Sequence, residues 1–124
     1  MKIHNTILLV GHCGPDTSSL ISYLDDILDD PTIKSIEKAS EAELYLSESS
    51  PDLILVNRIL PLYNELGYEW IKRLYNQYSD TAFMLISNHE DAQKIAVKNG
   101  AYPGFGKKDL FSPEATQKIK QAIR

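Results

Sequence analysis

Apolar and polar residues alternate along this chain in blocks rather than singly. Residues 6–10 (TILLV), 53–56 (LILV) and 82–86 (AFMLI) are nearly continuous apolar runs. Runs of four or five such residues between polar or turn-forming stretches predict strands buried on both faces. Between them the period becomes helical. Leu20, Ile21, Leu24, Ile27 and Leu28 recur at i, i+1, i+4, i+7 and i+8 within residues 16–29, and Pro31 follows as a stop. Gly67, Trp70, Ile71, Leu74, Tyr75 and Tyr78 form one stripe of residues 65–78. Ala92, Ile95 and Ala96 form another, which ends at Asn99-Gly100, a C-cap signal. Ala115, Ile119, Ala122 and Ile123 form the last, opened by Ser112-Pro113. Ser40 with Glu43 has capping-box spacing and predicts a short helix to about Ser47, and Ser87 with Glu90 repeats the spacing. Residues 32–38 (TIKSIEK) predict a more polar strand, and residues 103–106 a short Gly-rich one.

Strands that alternate with helices in this way predict five βα units, hence a parallel sheet with helices on both faces. Right-handed crossovers leave few layouts. The first, third and fourth strands are the most uniformly apolar and belong in the middle. The second carries lysine and suits an edge. With strands numbered along the chain, the doubly wound order 2-1-3-4-5 meets both demands. Ligands of such sheets bind at the carboxyl ends of the strands. That rule alone gathers Gly11, His12 and Cys13 after the first strand, Asn57 after the third, Ser87 after the fourth, and Lys107 and Lys108 after the fifth.

Composition narrows the class. The chain has 124 residues, 43% hydrophobic and 24% charged, which suits a single globular domain over residues 1–124. Its net charge of −4 disfavours nucleic-acid binding by the domain as a whole. One cysteine, Cys13, allows no internal disulfide and fits a reducing, cytoplasmic setting. No apolar run approaches the roughly 20 residues that span a bilayer, so no membrane role is expected.

The segments ILLVGHCGPDTSSL, PDLILVNRILP, AFMLISN and GAYPGFGKKDLF resemble the signature segments of response-regulator receiver domains, in order and spacing along essentially the whole chain. The resemblance implies a flavodoxin-like (βα)5 three-layer sandwich and a role in two-component phosphorelay signalling. It implies, too, a phosphorylation site made of an acidic pair that helps bind Mg²⁺, a phospho-acceptor aspartate, a Ser/Thr and a lysine. Ser87 fits the hydroxyl position. Lys107 fits the lysine, with Lys108 as the alternative one residue on. The acidic pair falls on Gly11 and His12, and the acceptor on Asn57. The stretch from Pro61 to Gly67 is about two residues longer than the family's loop.

Chemistry then decides what survives. Phosphoryl acceptance needs an ionised oxygen nucleophile aligned with Mg²⁺. A carboxamide has none, and Gly11, His12 and Asn57 offer Mg²⁺ almost no oxygen ligands. The expectation is a degenerate, or pseudo-, receiver. It would lack Mg²⁺ and any other cofactor, catalyse nothing, and act through contact with a signalling partner such as a histidine kinase or an output domain. Within that site two readings of Asn57 stand: it hydrogen-bonds Lys107 and Ser87 and locks one conformation, or it is simply a polar residue at a strand end. Lys94, Lys98, Lys118 and Lys120 lie on the last two helices, a face for pairing with a second copy. An alternative is a small-anion, nucleotide or FMN site in the Gly11–Ser19 loop, which is rich in glycine and hydroxyls and precedes a helix N-terminus. Against it, Asp16 would repel phosphate. His12 and Cys13 alone are too few for a structural zinc site.

Overall fold

The structure, a computed structural model, describes residues 5–61 and 64–123. Seven strands follow one another along the described chain: β1 (Thr6–Val10), β2 (Thr32–Ile36), β3 (Leu53–Asn57), the two-residue β4 (Ile59–Leu60) and β5 (Glu65–Leu66), β6 (Ala82–Ile86) and β7 (Tyr102–Phe105); all but β4 and β5 form the main sheet. Its strands run parallel in the order β2-β1-β3-β6-β7. This is the doubly wound 2-1-3-4-5 layout, with the apolar strands central and the lysine-bearing β2 at an edge. Helices α1 (Gly14–Ile27), α2 (Ala39–Glu48), α3 (Gly67–Tyr75), α4 (Glu90–Lys98) and α5 (Pro113–Ala122) connect and cover it. None of the described helices is long and apolar enough to cross a membrane.

Alternate strand residues point to opposite faces, and the two cores follow that parity. Leu8, Val10, Ile54, Val56, Phe83 and Leu85 pack with Ala42 and Leu46 of α2, Trp70, Ile71 and Leu74 of α3, and Ala92 and Ala96 of α4. Ile7, Leu9, Leu53, Leu55, Met84 and Ile86 pack with Leu20, Tyr23 and Leu24 of α1 and with Ala115 and Ile119 of α5. The three central strands are therefore buried on both sides, which is why their sequences show no polar alternation.

The local structure corrects three expectations. Ser40 caps nothing: α2 starts two residues earlier than a Ser40 cap requires, with Lys38 at its N-cap and no side-chain cap bond. Glu43 instead accepts from Trp70 Nε1 at 2.9 Å and pairs with Arg73, so a tertiary contact takes the carboxylate. Ser87 likewise is not the N-cap of α4; that residue is His89, whose N–H donates to Ser87 Oγ at 3.0 Å. Ser112 does cap α5, accepting from Ala115 N–H at 3.1 Å. Finally, the longer segment after β3 contains two short strands, β4 (Ile59–Leu60) and β5 (Glu65–Leu66), paired antiparallel. Arg73 holds β5 to α3 by a bidentate pair with Glu65, with contacts of 2.9–3.1 Å.

Candidate functional site

The carboxyl ends of β1, β3, β6 and β7 meet at one end of the sheet. Strand β1 ends at Val10, and Gly11 turns the chain at φ +81° while its N–H still donates to Ile36 O. A side chain at this position would be strained by the left-handed backbone and would collide with Leu60 of β4. Gly67 makes a second close approach. A Cβ there would strike the Asn57 carbonyl, so only glycine lets α3 start against the end of β3.

His12 turns inward and is only 5% exposed. Its Nε2 lies 2.9 Å from the Leu55 carbonyl oxygen. A carbonyl can only accept, so Nε2 carries the proton and Nδ1 is a bare acceptor. Nδ1 has no partner among the described residues. Burial is the main reason the imidazole is pushed down to about 4; the Leu55 carbonyl works against it, and the nearby charges of Lys107 and Asp16 oppose each other. His12 is therefore neutral at pH 7. Cys13, its neighbour, is exposed.

Asn57, Ser87 and Lys107 line one cleft of about 280 Å³ with Arg58, Ile59, Ile86, Asn88 and His89. Lys108 belongs to a different groove, between α4, β7 and α5. The three side chains share the cleft but make other bonds than expected. Asn57 Nδ2 donates to Ile59 O, two residues on, at 3.0 Å. Ser87 Oγ accepts from His89. Lys107 forms an ion pair with Asp16 in the first turn of α1. The expected contacts from Asn57 to Lys107 and Ser87 are thus replaced, because each group has a nearer or charged partner. No local pattern in the sequence points to Asp16 as the partner of Lys107. Expected only to repel phosphate, it has a carboxyl group held below the usual range chiefly by its hydrogen bond with Lys107, then by one with Cys13. The Gly11–Ser19 segment is mostly not a loop, since α1 begins at Gly14.

Comparison of this fold with solved structures gives a consistent answer. A candidate response regulator from Chloroflexus aurantiacus superimposes with a TM-score of 0.84 at 17% identity, covering 98% of each chain. The signal receiver domain of an HD domain-containing protein from Pseudomonas fluorescens gives a TM-score of 0.81 at 22% identity, over 99% of this chain and 89% of that one. The fold is that of a receiver domain. The beryllofluoride-activated NtrC4 receiver domain dimer also matches, with a TM-score of 0.79 at 25% identity over 95% of both chains. No protein-family model matches the chain, and no curated protein matches it.

Among the described residues, none that lines the cleft is a carboxylate. Asp16, the acid that does reach Lys107, comes from α1 and is already paired. Among the described residues, no group of three or more His, Cys, Asp or Glu side chains is placed to hold a metal ion. The Asn57 amide donates directly to the Ile59 carbonyl; with an aspartate at 57 two oxygens would face one another and need a proton or cation between them.

Proposed function

We propose that this chain is a signalling module of the receiver type that takes no phosphoryl group at the usual position and acts by contact with a protein partner, such as a histidine kinase or an output domain. The observation that carries this reading is the bond from Asn57 Nδ2 to Ile59 O at the end of β3. It puts a neutral amide, one N–H of which is already engaged, where a phosphoryl acceptor needs an ionised oxygen. Gly11 and His12 reinforce it, one with no side chain and the other a buried neutral imidazole turned toward Leu55.

The reading gives the module two properties. Removing a carboxylate cluster removes mutual repulsion worth on the order of a few kcal/mol per close pair at an effective dielectric of about 20, so the fold needs no cation to be stable. Output must then come from surfaces. Ile95 and Val97 on α4 are 37% and 43% exposed, beside the lysines of α4 and α5, and suit pairing with a second copy or a partner. Amide NMR tests the site directly. Titrating Mg²⁺ and then beryllofluoride into the protein should leave the signals of Asn57, Ser87 and Lys107 in place. Saturable shifts at these residues that require both additions would overturn the reading.

A further inference from the structure

Strands β6 and β7 are paired out of step. The register runs from Met84 opposite Tyr102 to Ile86 opposite Phe105, two residues along β6 against three along β7. The extra residue is a bulge, and Pro103 within it has no N–H to give. At this irregularity a side chain from α4 takes up backbone groups of both strands. Gln93 Nε2 donates to Leu85 O at 2.9 Å and to Ser87 O at 3.1 Å, with Phe105 O at 3.5 Å. Gln93 Oε1 accepts from Gly104 N–H at 3.1 Å. A carboxamide has two N–H donors and a carbonyl, and only this orientation sets donors on the carbonyls and the acceptor on the N–H. From the other flank, Lys118 of α5 donates from Nζ to Gly104 O at 3.0 Å. Both backbone polar groups of Gly104 are thus held by side chains, one from each helix. Position 104 has to be glycine for this to close, since a Cβ would strike Leu85 O and crowd Gln93 Oε1.

Resting on the reading of this chain as a contact module, we propose that Gln93 is a strap that fixes α4 against β6 and β7, so that the α4–β7–α5 surface meets its partner in one permanent form. Shifting α4 on the sheet breaks the bonds to Leu85, Ser87 and Gly104 together. All three of those residues are buried, so the freed groups would be left without water. Gln93, Gly104 and Lys118 line the groove of about 610 Å³ between these elements, beside Lys94 and Val97. The bonds that join the strands therefore also shape the contact surface. Ser87 and Asn88 line both this groove and the Asn57 cleft. With the Ser87 carbonyl strapped, the wall between the two is pinned. A surface held in one form imposes no population cost on its partner and needs no event in the cleft to expose it.

Amide NMR on the whole chain tests the strap. In the wild type, relaxation dispersion should show no microsecond-to-millisecond exchange in α4 or at Tyr102, Gly104 and Phe105. Gln93→Met keeps the length of the side chain and removes all of its hydrogen bonds. Conformational exchange should then appear at these residues. The Gly104 amide hydrogen should also exchange with solvent about tenfold faster relative to the amides of β1 and β3, the ratio for one lost hydrogen bond. Gln93→Glu, which as a carboxylate has no donor for the Leu85 and Ser87 carbonyls, should show the same exchange in α4. Exchange at α4 and β7 already in the wild type would overturn the proposal. So would a Gln93→Met chain in which β1, β3 and β7 amides all accelerate by one factor, the mark of an ordinary stabilising contact. Uptake of a phosphoryl group at Asn57 would remove the contact-module reading and leave the strap standing. Exchange in the wild type would remove the strap and leave that reading standing, so the two fail separately.

Discussion

His12 should make this protein lose stability on mild acidification. Its side chain is buried and neutral, with Nε2 on the Leu55 carbonyl and Nδ1 unpaired among the described residues. Burial holds its pKa at about 4, against 6.5 for the free side chain. Above pH 6.5 neither the folded nor the unfolded chain protonates it, and its contribution is constant. Below 6.5 the unfolded chain gains a proton that the folded chain refuses. Stability therefore falls as pH falls, and the loss is complete once pH passes below the folded value. The slope approaches 1.4 kcal/mol per pH unit, so crossing the whole window costs about 3 kcal/mol. Domains of this size are held by roughly 5–15 kcal/mol, so the effect is large. Between pH 7 and pH 5 the loss is about 2 kcal/mol, or a fall in melting temperature of about 6–10 °C. Asp16, whose pKa is lowered, adds its own loss only below the ordinary aspartate range. The interval from 6.5 to 4.5 therefore isolates the imidazole. Circular-dichroism melts at half-unit pH steps would show it, with His12→Gln as the control that keeps a donor for Leu55 but cannot titrate. The wild-type curve should fall through this interval and the variant's stay nearly flat. Parallel curves, or a His12 imidazole that titrates near 6.5 by NMR, would refute the reasoning.

Other substitutions probe the frame around the site. Asn57→Asp removes the bond to Ile59 O and sets two oxygens against each other, so it should cost about 1 kcal/mol in denaturant melts. It should also fail to restore Mg²⁺-dependent labelling, because Gly11 and His12 still supply no carboxylate; rapid labelling of this variant would contradict the account of the metal site. Gly11→Ala places a Cβ at φ +81° against Leu60 and should destabilise by about 1–3 kcal/mol, measured by urea unfolding. Trp70→Phe removes the donor to Glu43 from a fully buried ring and should cost about 1–2 kcal/mol in the same assay.

Long-range bonds divide what could be read in the sequence from what could not. The buried strands were legible because Leu53–Val56 and Ala82–Ile86 are apolar without interruption, and the edge position of β2 followed from Lys34 and its polar neighbours. Gly100, at φ +116°, ends α4 where its sequence signal stood. The caps failed where a distant partner competed. Glu43 matches a capping box only while Trp70 and Arg73 are out of sight. The β4–β5 hairpin has two-residue strands, too short for any periodicity to register. In the site, position on the sheet located Asn57, Ser87 and Lys107 correctly on one cleft, but not their bonds. Asp16 lies in a helix 91 positions from Lys107, and nothing local links the two. His12 follows a glycine whose positive φ redirects the chain, so strand alternation no longer tells which way its ring points.

In the proposed function the site keeps a receiver's framework without its nucleophile. Intact-protein mass spectrometry after incubation with acetyl phosphate and Mg²⁺ tests this most directly. The wild-type chain should keep its mass, with no phosphoryl group on Asn57 or elsewhere in the cleft. A gain of one phosphoryl group per chain, mapped to Asn57 or a residue lining that cleft, would contradict it.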